Sequence, residues 1–266
     1  MKLPIFEAID FVRRFEKNDG GSTNPYLVEV NQDSKLISYV VKLFKPSHEN
    51  LAYSTVNEVF MNILAQEFDL FVPDAALVNF SDLFVKNVLP MELQQDEKIK
   101  DKRLKFASRY IENTKLPKIS MLKDYDIASV YAFDSLLRNA DRRTEKPNML
   151  YHEKEADLYL IDHELSLNIN EIFFEELKSN HSSYFKNNHI FYPYLRKMKL
   201  EKKKYIFDTF QNSLKNINIS KLNGYAEQLE QANYTLNNFE LLKEYLLFAK
   251  REHQKFINSL ISGLHD

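Results

Sequence analysis

The stretch RNADRRTEKPNMLYHEKEADLYLIDHEL, residues 138–165, brings two carboxylates and an amide, Asp141, Asp162 and Asn148, onto loop tips beside short apolar runs. A carboxylate at a strand end costs folding energy unless positive charge faces it, and that charge can be an arginine or a metal ion. Earlier in the chain come a glycine pair, Gly20 and Gly21, followed by Ser22 and Thr23. A lysine, Lys42, then sits inside the apolar run VVKLF, and Glu58 lies in a run of helical spacing. The chain has only 4 glycines, so an adjacent pair marks a place where the backbone takes positive φ or approaches something closely. Taken singly, each feature has a bland reading: a turn, a solvated lysine, a helix glutamate facing water, a loop cap. Their order is that of the parts that move a phosphoryl group: glycine loop, strand lysine, helix glutamate, loop aspartate, asparagine, strand-end aspartate.

Each part has a task in that chemistry. Backbone N–H groups of Gly20 to Thr23 can approach phosphate oxygens because no Cβ intervenes at the glycines. Lys42 would hold phosphates as a point charge, oriented by an ion pair with Glu58. Asp162 and Asn148 are hard oxygen ligands of the kind Mg²⁺ takes, with water and phosphate filling the rest of its octahedron. Asp141 would accept the proton of an acceptor hydroxyl, or orient that hydroxyl. The cofactors so assigned are ATP and Mg²⁺.

The elements that must carry these residues read as follows. IFEAIDFVRRF is a strand or a short amphipathic helix, and NDGGSTNP is a turn cluster. Tyr26–Val30 and Leu36–Phe44, joined through NQDS, form paired antiparallel strands. STVNEVFMNILAQEF has helical spacing, with Val56, Val59, Phe60, Ile63 and Leu64 on one side. DAALVNF is a strand, MELQQDEKIKDKRL a solvated charged excursion, and KFASRYIEN a strand leading to a loop. DIASVYAFDSLLRN is an amphipathic helix. NMLY and DLYLIDH are short strands around HEKEA. Beyond Asn170 the pattern is helical, ending in one long helix over residues 237–260 that is apolar on much of its circumference. The expected fold class is α+β, in two lobes. A β-rich N-terminal lobe with one helix spans residues 1–113 and a mainly helical C-terminal lobe spans 114–266, the boundary falling near residues 113–122.

Composition narrows the field. At 266 residues and 44% hydrophobic content, the chain can bury a substantial core. It has no cysteine, which excludes disulfides and thiolate metal sites. Charged residues fall too early for a signal peptide, and no apolar run nears the roughly 18 residues of a membrane span. The expectation is a cytoplasmic protein with no membrane partner. A net charge of −2 argues against a nucleic-acid partner, and the basic run KLEKKKY reads as a solvated helix face.

At the two carboxylate segments the chain becomes similar to a known family. FDSLLRNADRRTEKPNMLY followed by LYLIDHELSL resembles the HipA-like kinases, a bacterial branch of the protein-kinase-like and phosphoinositide-kinase-like superfamily. GGSTNPYLVEV, YVVKLF and VNEVFMNILAQEFDLFVPDAALV extend the resemblance over residues 15–170, closest to the short stand-alone domains of the family. The resemblance implies a bilobal kinase fold using ATP and Mg²⁺. The family's strand lysine falls on Lys42, its helix glutamate on Glu58, its catalytic aspartate on Asp141 and its metal aspartate on Asp162. FASRYIEN would form the hinge, with backbone at Tyr110, Ile111 and Glu112 facing adenine. Family toxins phosphorylate serine or threonine on proteins, which implies a protein acceptor and an antitoxin or operon partner. Some relatives autophosphorylate a serine of the phosphate loop, here matched by Ser22 or Thr23.

The chain departs from the protein-kinase pattern of H-R-D, four residues, then asparagine. Asn139 and Ala140 precede Asp141, Lys146 stands at the asparagine position, and Asn148 follows two places later. Lysine cannot ligate Mg²⁺, so Asn148 is the ligand candidate. Asp162 is followed by His163 and Glu164 rather than Phe-Gly, and His163 either supports the site or packs at a strand end. Arg142 and Arg143 either bind phosphate or pair with Asp141 or Glu145. The displaced asparagine keeps a second reading open, a nucleotide-binding pseudokinase acting as an interaction module. A small-molecule or lipid head-group kinase is the third.

Overall fold

A computed structural model of the chain describes residues 1–15, 24–179 and 188–264, so Gly20, Gly21, Ser22 and Thr23 lie outside the described residues. The fold mixes α and β structure, with the longer strands in its first half. It divides into two compact units. The first comprises residues 1–60, 73–112 and 222–236; the second comprises 61–72, 113–221 and 237–266.

The first unit is built on five strands: β1 (Ile5–Arg14), β2 (Tyr26–Gln32), β3 (Lys35–Val41), β4 (Ala75–Asn79) and β5 (Lys105–Arg109). They close into a barrel of order β1-β2-β3-β5-β4, with β1 and β4 parallel. Period-two alternation sends Tyr26, Val28 and Val30 of β2 and Tyr39 and Val41 of β3 into one core with Ala76, Val78 and Ala107. β2 and β3 join through Asp33 and Ser34, both at positive φ, the two-residue hairpin turn whose twist matches that of the strands. β1 is a strand throughout. Its irregular alternation comes from register shifts between Ala8 and Asp10 and between Phe11 and Arg13.

The charged excursion is not simply solvated. It folds as short helices, Met91–Gln94 and Glu97–Lys100, which bury Leu93 and Ile99. Beyond it lies a cluster of buried charge. Asp101 binds the Arg103 guanidinium through both carboxylate oxygens, and the Lys105 ammonium donates to the Asp101 carbonyl at 2.7 Å. Tyr234 donates to the Leu104 carbonyl, and Arg103 lies over its ring. Burial pushes the Lys105 ammonium down from 10.5 to about 8, against the opposing pull of Asp101. A lysine depressed in the fold binds fewer protons there than in the unfolded chain over this interval, so stability rises with pH between those two values. The stability difference between Lys105→Met and wild type should therefore change by on the order of 3 kcal/mol from pH 7 to pH 10.5, in favour of wild type. Urea denaturation across that range would show it; a pH-independent difference would contradict it.

The second unit holds a small antiparallel sheet, β6 (Thr114–Lys115), β7 (Met149–His152) and β8 (Asp157–Leu160), and most of the helices. Its core packs Phe68 flat against Phe210 at 4.6 Å and edge-on to Phe133 at 5.5 Å. Two expected helices are each broken in two. EKKKYIFDTFQNSL turns at Phe207, and the last helix divides into Phe239–Arg251 and His253–Gly263. In the basic run, Lys203 is buried rather than solvated, donating to the carbonyls of Arg196 and Leu264.

Candidate functional site

In the first unit, β3 ends at Val41, so Lys42 stands one residue past the strand rather than inside it. Its N–H still donates to the Phe106 carbonyl at 3.0 Å, which continues the β3–β5 pairing and fixes the side-chain direction. Glu58 lies in the first half of the Ser54–Glu67 helix. The start of that helix is anchored by Glu49, whose carboxylate accepts the Thr55 N–H at 3.0 Å and the Thr55 hydroxyl, occupying one otherwise unpaired backbone donor of the first turn. So placed, Glu58 forms a direct ion pair with the Lys42 ammonium, both side chains buried. A buried ion pair contributes little net stability relative to an apolar pair. What it does is hold an ammonium in one orientation. At the expected hinge, the Tyr110 N–H donates to the Ser38 carbonyl at 2.9 Å.

In the second unit, the Asp124–Leu136 helix delivers the loop. It is buried from Ile127 to Leu136, and Asp124 and Asp126 in its first turn suit the positive end of the helix dipole. It ends at Arg138, at φ 58°, with the Asn139 N–H reaching back to the Asp134 carbonyl at 2.9 Å. That is a Schellman closure made without glycine. Arg138 stacks on Phe173 at 3.7 Å, which helps offset the left-handed backbone. Three residues later the chain presents Asp141.

The loop from Asp141 to Asn148 is organised from beneath. Arg142, fully buried, donates Nε to Asp134 at 2.5 Å and NH1 to the Asn148 carbonyl at 2.5 Å. Asp134 also meets Nε2 of His189 at 2.9 Å, while the Phe191 N–H donates to Nδ1 of the same ring. Burial alone would raise the Asp134 carboxyl, but the charge of Arg142 and the bond to His189 outweigh it and hold it below the usual carboxylate range. Ile190 N–H donates to the Arg142 carbonyl and Arg143 bridges to His189, so residues 189–190 clasp the loop.

Above this base the charged groups converge. The Asp141 carboxylate is bound by Arg143 at 2.9 Å, Lys146 at 2.7 Å and the Asn148 amide at 3.0 Å. The same Lys146 ammonium lies 3.0 Å from Asp162. Burial alone would lower the Lys146 pKa, but Asp162 and Asp141 together reverse the sign and raise it. Asn148 and Asp162 flank one end of the β7–β8 hairpin, and the Ile161 N–H donates to the Asn148 carbonyl. Both adopt positive φ, 49° and 62°, a conformation asparagine and aspartate tolerate better than other side-chain-bearing residues.

Among the described residues no group of three or more His, Asp or Glu could hold a metal ion. The donor set is smaller, one carboxylate from Asp162 and one amide oxygen from Asn148. Two hard oxygen donors fit an ion that keeps waters and takes its remaining ligands from phosphate, as Mg²⁺ does.

The structure thus brings Asp141, Asn148 and Asp162 together and joins Lys42 to Glu58. Of the two arginines, Arg143 pairs with Asp141 as expected of a loop-holding residue, whereas Arg142 pairs with Asp134. Asp134, His189 and the bridging role of Lys146 escaped the sequence reading. A lone aspartate in the otherwise apolar run IASVYAFDSLL was the signal for Asp134; nothing marked His189, which only the tertiary fold brings to it.

A family model described as HipA-like kinase matches residues 9–255. Among solved structures, the chain is similar to the crystal structure of a proinflammatory kinase of Helicobacter pylori, CtkA. The identity is 12%, the TM-score 0.51, and 98% of each chain is covered, a likeness of fold. No curated protein matches the chain.

Proposed function

The chain belongs to the HipA-like kinase family, and from that premise we propose that it is an ATP- and Mg²⁺-dependent phosphotransferase acting on a serine or threonine hydroxyl of a protein, with residues 1–113 and 114–266 as the two lobes of a kinase. The observation that carries this reading is the convergence of Asp141 and Asp162 on one ammonium beside Asn148. ATP with its metal supplies the transferable phosphoryl group and the divalent charge that offsets its oxygens. Lys42, held by Glu58, gives those oxygens a fixed point charge. Asp162 and Asn148 hold the ion. Asp141 takes or orients the proton of the acceptor hydroxyl as its oxygen bonds to phosphorus and the ADP oxygen departs. The backbone at Tyr110, Ile111 and Glu112 receives the base. A toxin role, with an antitoxin or operon partner, follows the habit of the family.

The test is incubation of the protein with γ-labelled ATP, Mg²⁺ and a cell lysate. The expected result is an acid-stable labelled protein band that requires Mg²⁺. Lys42→Met is expected to cut that labelling by about 10²–10³-fold, the usual cost of one preorganised charge at a transferring group. Labelling at the wild-type rate by this variant would remove Lys42 from the site.

A second reading is favoured by one observation. Asp141 is bound by two cations and an amide, so its carboxylate oxygens are already engaged before any acceptor hydroxyl arrives. A nucleotide-binding pseudokinase would be stabilised thermally by ATP and Mg²⁺ yet label nothing, itself included.

A further inference from the structure

Lys146 is the one loop residue whose ammonium reaches both carboxylates of the site, at 2.7 Å from Asp141 and 3.0 Å from Asp162. Asp141 is buried and also receives Arg143 and Asn148, so it stays compensated if the lysine leaves. Lys146 itself is about one-third exposed, at 32%, and its side chain is long enough to swing. A divalent ion on Asp162 would meet a positive charge already seated at that oxygen, in a partly buried place where charge repulsion is weakly screened. Nucleotide phosphates change the balance, because they offer the ammonium other oxygens to bind.

We propose that Lys146 is an internal counter-cation of the site, competing with a divalent ion for Asp162 so that the ion enters with the nucleotide's phosphates and not before them. This rests on the assignment of Asp162 as the metal-binding aspartate. It assigns a role to a residue that the motif pattern could only mark as out of place, and it makes metal affinity the property that Lys146 sets.

The test is Mn²⁺ binding to the nucleotide-free protein, read from the electron paramagnetic resonance signal of free Mn²⁺. Lys146→Met and, as a second neutral replacement, Lys146→Gln should bind Mn²⁺ about tenfold or more tightly than wild type, the scale of one charge contact in a partly buried setting. Lys146→Arg keeps the charge and should stay close to wild type. Adding ADP should narrow the gap between wild type and the neutral variants. Adding Asp162→Asn to Lys146→Met should abolish the gain. Equal affinity in wild type and both neutral variants, with binding that Asp162→Asn removes, overturns the counter-cation role and leaves Asp162 as a ligand. A gain that survives Asp162→Asn overturns the assignment of Asp162 itself. No detectable Mn²⁺ binding by folded neutral variants counts against the proposal.

Discussion

Asp141→Ala is expected to lower phosphoryl transfer by about 10³-fold while leaving nucleotide binding close to wild type, the range a positioned acid–base group supplies. The reason lies in what Asp141 touches. Its carboxylate is bonded to Arg143, Lys146 and Asn148. Removing it takes away the group that aligns an acceptor hydroxyl, and it frees the Arg143 guanidinium, which can then bind phosphate oxygens more strongly. Nucleotide affinity should hold or rise as transfer falls. A transfer assay with labelled ATP and a parallel titration with a fluorescent nucleotide separate the two effects. Transfer at the wild-type rate would show that Asp141 has no such role, and a parallel loss of both would make it a binding residue instead.

The second large effect is on stability. Asp134→Ala should cost about 3–5 kcal/mol, the penalty for leaving a buried charge without its partner. Arg142 has no exposed surface, and its other contacts are carbonyls, at Asn148 and, more distantly, Pro147. Carbonyl dipoles do not replace a carboxylate there. For a chain of this size the loss corresponds to a melting temperature lower by about 10 °C or more. Because Asp134 is held below the usual carboxylate range, its contribution is present at neutral pH and fades as pH falls through that lowered pKa. The wild-type advantage over the alanine variant should therefore shrink in strong acid. A thermal melt within 2 °C of wild type would contradict this account of the Arg142 base.

How much of this was readable in advance depended on the range of the interactions. Local pattern placed the β2–β3 hairpin, the Ser54–Glu67 and Asp124–Leu136 helices and the β7–β8 strands, since alternation, helical spacing and turn residues are short-range properties. It placed Lys42, Glu58, Asp141, Asn148 and Asp162 as candidates by order alone. It overshot where a strand end or a helix break is decided by packing, as at Val41, Phe207 and Glu252. It read the segment after Pro90 as solvated because Leu93 and Ile99 are isolated among charges, and only the folded barrel offers them a core. It missed the support under the loop, because Asp134 and His189 are 55 positions apart and each is ordinary in its own surroundings. It placed Lys146 in the sequence but not in the chemistry, since a lysine shared by two carboxylates is a fact of geometry.

The most direct test of the central claim is a crystal structure with Mn²⁺ and a non-hydrolysable ATP analogue, using the anomalous signal of the metal. The account predicts an anomalous peak at coordination distance, about 2.1 Å, from an Asp162 oxygen. It further predicts nucleotide phosphate on that ion, the Lys42 ammonium on a phosphate oxygen and the Asp141 carboxylate on the side open to an acceptor. A nucleotide and metal bound away from Asp162 and Lys42 would contradict it.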